Sequence, residues 1–153
     1  MTEAGSGPAM PRDTRDEYDF WLQGSVGDIA KANGVDKLPF WQRLSSNPAY
    51  NAFWQLQAVD RMVAAKPSTV PTMWLQGFWD QEDIYGAVHS WEAMEKAGYG
   101  ATNHLVIGAW WHSQINRSAW NLGPLKWNGD TAADFRQQVM IPFFDQYLKD
   151  GAP

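Results

Sequence analysis

The chain has 153 residues, 44 % hydrophobic and 14 % aromatic, enough apolar material for one ordinary domain and too much for a disordered one. Its formal net charge of −5 gives no electrostatic footprint for nucleic acid, and no apolar run approaches the roughly 18 residues needed to span a bilayer. The lack of cysteine excludes disulfides, thiol catalysis and thiolate metal sites.

Residues 1–17 are polar, with Gly, Pro and charge but no apolar core of the secretory type, and read as a mobile terminus. From there to about Lys66 the pattern is short helices rich in aromatics. Tyr18 to Leu22 forms the first, and Asp28 to Asn33 a helical turn among Gly24, Gly27 and Gly34. Pro39 to Leu44 forms another, with Pro at its first position. Asn47 reads as the N-cap, and Pro48 as the first residue, of a helix through Tyr50, Phe53, Trp54, Gln57 and Ala58 to Met62 or Val63.

Pro67 and Pro71 bracket a change of character. Pro71 to Gln76 predicts a short buried strand closed by Gly77. Asp83 is placed to cap a helix whose inner face is Ile84, Ala87, Val88, Trp91 and Met94, ended by Gly98 and Gly100. Asn103 to Ile107 predicts a second strand closed by Gly108. An irregular stretch with Asn116, Gly123-Pro124 and Gly129 leads to a last helix from Asp130 or Thr131. That helix carries Phe135, Val139, Phe143, Tyr147 and Leu148, with Pro142 as a kink or break. A strand–helix–strand unit places its two strands parallel. Two strands apolar on both faces cannot cover themselves, so the chain reads as part of a larger sheet.

Asp80 and His112 stand just beyond the two strands, 32 residues apart. In open parallel sheets, catalytic groups gather outside the carboxyl ends of the strands. An Asp and a His brought together there are two members of a Ser-His-Asp triad. The plain alternatives are a turn or capping aspartate and a surface histidine.

Gly77-Phe-Trp-Asp-Gln-Glu-Asp-Ile-Tyr-Gly86 and Gly108-Ala-Trp-Trp-His-Ser-Gln-Ile-Asn116 resemble the acid and histidine motifs of one α/β-hydrolase group. That group contains the α-amino acid ester hydrolases, the glutaryl-aminocephalosporanic acid acylases, cocaine esterase and the X-Pro dipeptidyl-peptidases. The α-amino acid ester hydrolases are also similar at Tyr50-Asn-Ala-Phe-Trp54 and from Gly129 through Pro142 to Pro153. The resemblance runs from about Tyr18 to Pro153. It implies an α/β class, specifically a partial α/β-hydrolase fold with two parallel strands and their helices carrying the triad Asp and His, over residues 67–153. Residues 18–66 correspond to a helical cap segment that sits over the site in the family. Asp80 would be the triad acid and His112 the base. Phe78 and Trp79, beside Asp80, are expected to face the acyl pocket.

The chain departs from the family pattern in three places. Ala109 replaces the usual Pro before the histidine motif. The segment that partly supplies the family's amine-binding carboxylates reads Tyr50-Asn51-Ala52, leaving Asn51 as an uncharged substrate contact and turning the expectation toward a plain acyl or glutaryl-type group. No Gly-x-Ser-x-Gly nucleophile elbow is present; Ser25, in Gly24-Ser-Val-Gly27, has the wrong spacing.

Glu82 and Asp83 read as the opening of the helix, where acids suit its dipole. His104 reads as structural and His89 as solvated, and three scattered histidines suggest no metal site. Most of the ten Trp fit core or cap lining better than a stacking platform. The expectation is therefore a segment of a serine hydrolase for small-molecule acyl esters or amides, with no cofactor, nucleic acid or membrane partner. The remainder of the hydrolase, an upstream Ser-bearing part and a C-terminal jelly roll, would be its partner, in relatives that can be homo-oligomeric and are often exported. The compartment cannot be read from the chain. The alternative is a non-catalytic truncated or degenerate piece acting as a binding module. The isolated chain is expected to be inactive, because the nucleophile is missing, and sparingly soluble, because its strand edges are unpaired.

Overall fold

A computed structural model describes residues 16–80 and 82–150, so of the mobile start expected over residues 1–17 only Asp16 and Glu17 are described, and they open a helix instead. The chain divides into two compact units, Met1–Phe53 and Trp54–Pro153.

The described part of the first unit is helical. Asp16 caps α1 (Glu17–Trp21) by accepting the Tyr18 amide. Ser25 caps α2 (Val26–Ala32): its hydroxyl accepts the Asp28 amide and donates to the Asp28 carboxylate at 2.6 Å. Phe20, Ile29 and Ala30 are the buried residues of this unit. Pro39 sits in the first turn of α3 (Pro39–Ser45), as expected. Asn47 does not open the next helix. Its side-chain amide donates to the Arg43 carbonyl at 2.8 Å and so closes α3 instead. The long helix expected from Pro48 to Val63 is two short ones, α4 (Ala52–Gln55) and α5 (Val59–Ala65), because the backbone is extended at Ala58. The apolar spacing carries across that break without a helix through it.

The second unit is built on two parallel strands, β1 (Thr72–Trp79) and β2 (Asn103–Trp111), in register from Thr72 opposite Asn103 to Gly77 opposite Gly108. Neither glycine ends its strand. Pairing resumes at Trp79 opposite Trp111 after an irregularity. The glycines serve close approach: a Cβ on Gly77 would stand 2.7 Å from the Trp110 carbonyl oxygen, and one on Gly108 would collide with the Trp110 indole.

The connection between the strands is α6 (Gly86–Lys96), which starts later than expected. Tyr85 precedes it without a side-chain cap, so Asp83 caps nothing, and Ile84 is exposed. Ser90 and Met94 are its buried residues. Buried Asn103 fastens this unit: it donates to the Trp91 carbonyl and the Glu95 carboxylate and accepts the Trp74 indole N–H at 2.6 Å. One amide thereby ties both strands to the helix. α5 packs along α6.

After His112, a short antiparallel hairpin forms in the stretch read as irregular: β3 (Asn121–Leu122) and β4 (Leu125–Lys126), joined by Gly123-Pro124 with Gly123 at φ +57°. Two-residue strands carry too little pattern to be read from sequence. Asp130 caps α7 (Thr131–Phe135), accepting the amides of Ala132 and Ala133 and, across the loop, of Ala119. A π-helical turn over Arg136–Met140 follows, and α8 (Ile141–Leu148) begins with Pro142 in its first turn. The proline therefore sits where a helix tolerates it, with the wide turn in front of it. The core joins Trp110, Ala119, Ala132 and Phe135, with Met73, Val106, Ile115 and Met140 packed around them.

Candidate active site

Asp80 is the first residue beyond β1 and His112 the first beyond β2. Parallel pairing brings both to the same end of the sheet. Asp80 is nearly buried, with 9 % of its side chain exposed, and His112 is partly open at 35 %. Asp80 Oδ1 accepts the Glu82 amide at 2.8 Å and the Asp83 amide at 3.1 Å, a local turn that fixes the carboxylate. His112 Nδ1 lies 3.1 Å from Asp80 Oδ2 and 3.2 Å from Oδ1.

The electrostatics follow from these contacts. The backbone N–H of Glu82, then that of Asp83 and the imidazole, hold the Asp80 carboxyl below its usual 3.8 against the opposing effect of burial. The hydrogen bond to Asp80, with help from the Glu82 and Asp83 charges, raises His112 above 6.5. With its proton on Nδ1 donated to Asp80, the imidazole keeps a lone pair on Nε2, the arrangement a general base requires.

Glu82 and Asp83 are not the opening of α6. They precede it and turn toward the imidazole, with Glu82 Oε2 3.7 Å from Nε2 and Asp83 Oδ2 3.7 Å from Nδ1. The sequence reading missed this because helical propensity does not show where the first turn starts. Gln114 was also missed. It is 2 % exposed, and its amide accepts the Trp111 N–H and donates to the Asn121 carbonyl. A Gln two residues past the strand-end His112 was the available signal.

A cleft of about 490 Å³ opens beside the pair. Asp80, His112, Gln76 and Ser90 border it, together with β1 from Met73 to Gly77. The Ser90 hydroxyl is buried and has no hydrogen-bond partner among the described residues. Phe78 and Trp79 are largely exposed and do not border this cleft. Asn51 belongs to the first unit, where its amide group donates to Asn47 and accepts the Phe53 amide. His104 is tied to Tyr147 at 3.0 Å, and His89 bonds the Tyr85 carbonyl and stacks on that ring.

Among the described residues, no hydroxyl bonds to His112 Nε2. No group of three or more His, Cys, Asp or Glu among them is arranged for a metal ion. No helix among them is long and apolar enough to cross a membrane.

Comparison with curated proteins gives no match. Among solved structures, a selenomethionine-labelled α-amino acid ester hydrolase is 53 % identical over 94 % of this chain, with a TM-score of 0.87. An aminopeptidase from the marine sediment archaeon Thaumarchaeota archaeon is 41 % identical over 95 % of it, also at 0.87. This chain spans 24 % of the length of each of those structures. The two parallel strands and their helices match a part of the α/β-hydrolase fold of the ester hydrolase. The profile of the X-Pro dipeptidyl-peptidase (S15) family matches residues 1–114. The pair of strand-end motifs around Asp80 and His112 thus has its explanation in descent, and the chain belongs to the X-Pro dipeptidyl-peptidase (S15) family.

Proposed function

We propose that this chain supplies the acid and base of a Ser-His-Asp triad that cleaves acyl ester or amide bonds. The supporting observation is the 3.1 Å contact between His112 Nδ1 and Asp80 Oδ2 at the carboxyl ends of adjacent parallel strands. Residues 67–153 belong to the hydrolase domain and 18–66 to its cap segment. The nucleophilic serine comes from polypeptide outside these 153 residues, since the chain has no Gly-x-Ser-x-Gly. Its strand would lie on the side of β1 that β2 leaves open.

In the first half-reaction the serine hydroxyl adds to the acyl carbonyl and its proton passes to His112 Nε2. Asp80 stabilises the resulting imidazolium through Nδ1–H and stays ionised. When the intermediate collapses, the bond to the leaving group breaks and Nε2 returns the proton to the departing alcohol or amine. Water, deprotonated by Nε2, then adds to the acyl-serine, and as the acyl–oxygen bond breaks Nε2 returns that proton to the serine oxygen and the acid leaves.

The acids beside the imidazole support a narrower substrate class. Glu82 Oε2 stands 3.7 Å from Nε2, the face that nucleophile and substrate share. A carboxylate there suits a substrate with a cationic amine near the scissile bond, through a charge-assisted contact that Asn51 could not make. Both similar structures, an α-amino acid ester hydrolase and an aminopeptidase, are also named for amino-bearing substrates. We therefore favour an amine-bearing acyl ester or amide over a plain or glutaryl-type one.

The test has two arms. Alone, the chain shows no p-nitrophenyl ester hydrolysis above that of its His112→Ala variant. Grafted in place of the matching segment of the ester hydrolase, it supports hydrolysis of an α-amino acid ester that is lost on His112→Ala. A folded but inert graft would favour a degenerate, non-catalytic remnant. Serine-reagent-sensitive activity of the chain alone, lost on His112→Ala, would overturn the need for an outside nucleophile.

A further inference from the structure

The chain beyond β2 turns sharply at His112. Ser113 adopts a left-handed backbone, φ +61°, the one non-glycine residue to do so among those described. Such a conformation costs of order 1 kcal/mol and persists where neighbours over-determine it. The residue that does so here is Gln114. It opens a 3₁₀ turn (Gln114–Asn116) and is 2 % exposed. Its Oε1 accepts the N–H of Trp111 at 3.1 Å, immediately before His112. Its Nε2 donates to the carbonyl of Asn121 in β3 at 2.9 Å.

Asn121 is itself anchored. Two residues before it, Ala119 donates its N–H to Asp130 at 2.8 Å and accepts the Thr131 N–H with its carbonyl. The Trp120 carbonyl accepts the Trp127 N–H and closes the hairpin. A continuous path of hydrogen bonds and short covalent links therefore runs from the cap of α7 through β3 to Gln114, Trp111 and the imidazole. Gln114 is the only side chain in that path that touches the β2 end itself, and it uses both functions of its amide to do so.

We infer that Gln114 is a positioning residue for His112, holding the strand end and the left-handed turn so that Nδ1 faces Asp80. This rests on the reading of His112 as the triad base, but its test needs no nucleophile. Gln114 touches no reacting atom and acts only through the His112 backbone. Among the described residues, the acids that face the imidazole are Asp80, Glu82 and Asp83, whereas the side-chain hydrogen bonds of Gln114 go to Trp111 and Asn121. Loss of the clamp therefore changes the distance between partners and leaves their charges in place.

The experiment is an NMR titration of the three histidines in the full chain and in its Gln114→Met variant, which keeps length and apolar volume and removes both bonds. The expected result is a His112 titration that falls toward 6.5. A lower unfolding midpoint with an unmoved His112 would assign Gln114 a structural role only and overturn the inference. Where the variant does not fold, amide exchange in the native chain decides. The Trp111 amide is expected to exchange slower than its unprotected rate by about tenfold or more. Exchange at the unprotected rate would mean that Gln114 does not hold it, and would equally overturn the proposal.

Discussion

The indole of Trp110 lies over Gly108, in the space where a side chain on that residue would begin. The same tryptophan brings its carbonyl oxygen within 2.7 Å of where a Cβ on Gly77 would stand. Two facing glycines thus let the strand ends converge just before Asp80 and His112. Trp110 cannot yield, because it is 4 % exposed, packs edge-on against Phe135 and donates its indole N–H to Thr131.

Gly108→Ala is therefore expected to destabilise the chain by about 1–3 kcal/mol, the usual cost of overpacking a core that cannot relax. Gly86→Ala, at a helix start with nothing within 4 Å, is the control and should be close to neutral. Urea unfolding midpoints compare the two.

The Asp80–His112 pair gives stability a defined pH window. The Asp80 pKa is depressed, so its contribution is present above 3.8 and lost as pH falls through the lower folded value. The His112 pKa is raised, so its contribution is full below 6.5 and lost as pH rises through the higher folded value. The stability difference between the native chain and Asp80→Asn should be largest between 3.8 and 6.5 and shrink on both sides. In that variant His112 should titrate closer to 6.5, as NMR would register.

Asp130 holds three amides on one carboxylate, two at the start of α7 and one on Ala119 across the loop. Asp130→Ala should cost about 0.5–2 kcal/mol, the range for losing an N-cap. The Ala119 amide, then those of Ala133 and Ala132, hold the Asp130 carboxyl below 3.8. The difference between native and variant should accordingly vanish as pH falls through that depressed value. Thermal unfolding across an acid pH series would reveal it.

If Glu82 and Asp83 receive a substrate ammonium, the double change Glu82→Gln and Asp83→Asn in the grafted hydrolase should lower kcat/KM for an amino-acyl ester. A fall of about 10- to 100-fold is expected, the worth of one charge-assisted bond. The des-amino analogue should fall far less. Equal losses for both would assign the two acids to the imidazole alone.

The elements legible in the sequence were those whose signal is local and strong. The strands around Met73-Trp-Leu75 and Leu105-Val-Ile107 declare themselves by continuous apolar runs, and Asp80 and His112 by their places shortly past the glycines that follow them. Pro39 and Asp130 follow from the chemistry of helix starts, whereas Ser25 shows itself as the cap of α2 only in the structure. Where a polar side chain had two possible partners, the sequence could not choose. Asn47 can cap a helix ahead of it or behind it, and only the Arg43 carbonyl made it the latter. Gly77 and Gly108 look like strand ends until Trp110 is seen to need the space they leave.

The sequence by itself singled out the two residues proposed as acid and base, because residue type, strand-end position and separation all lie along one chain. Tertiary structure alone decided what surrounds them. Glu82 turned from helix opener to neighbour of the imidazole because α6 starts at Gly86, and Gln114 became a clamp because β3 returns past the His112 turn. Those contacts depend on where separate segments meet in space, and hydrophobic periodicity carries no record of that.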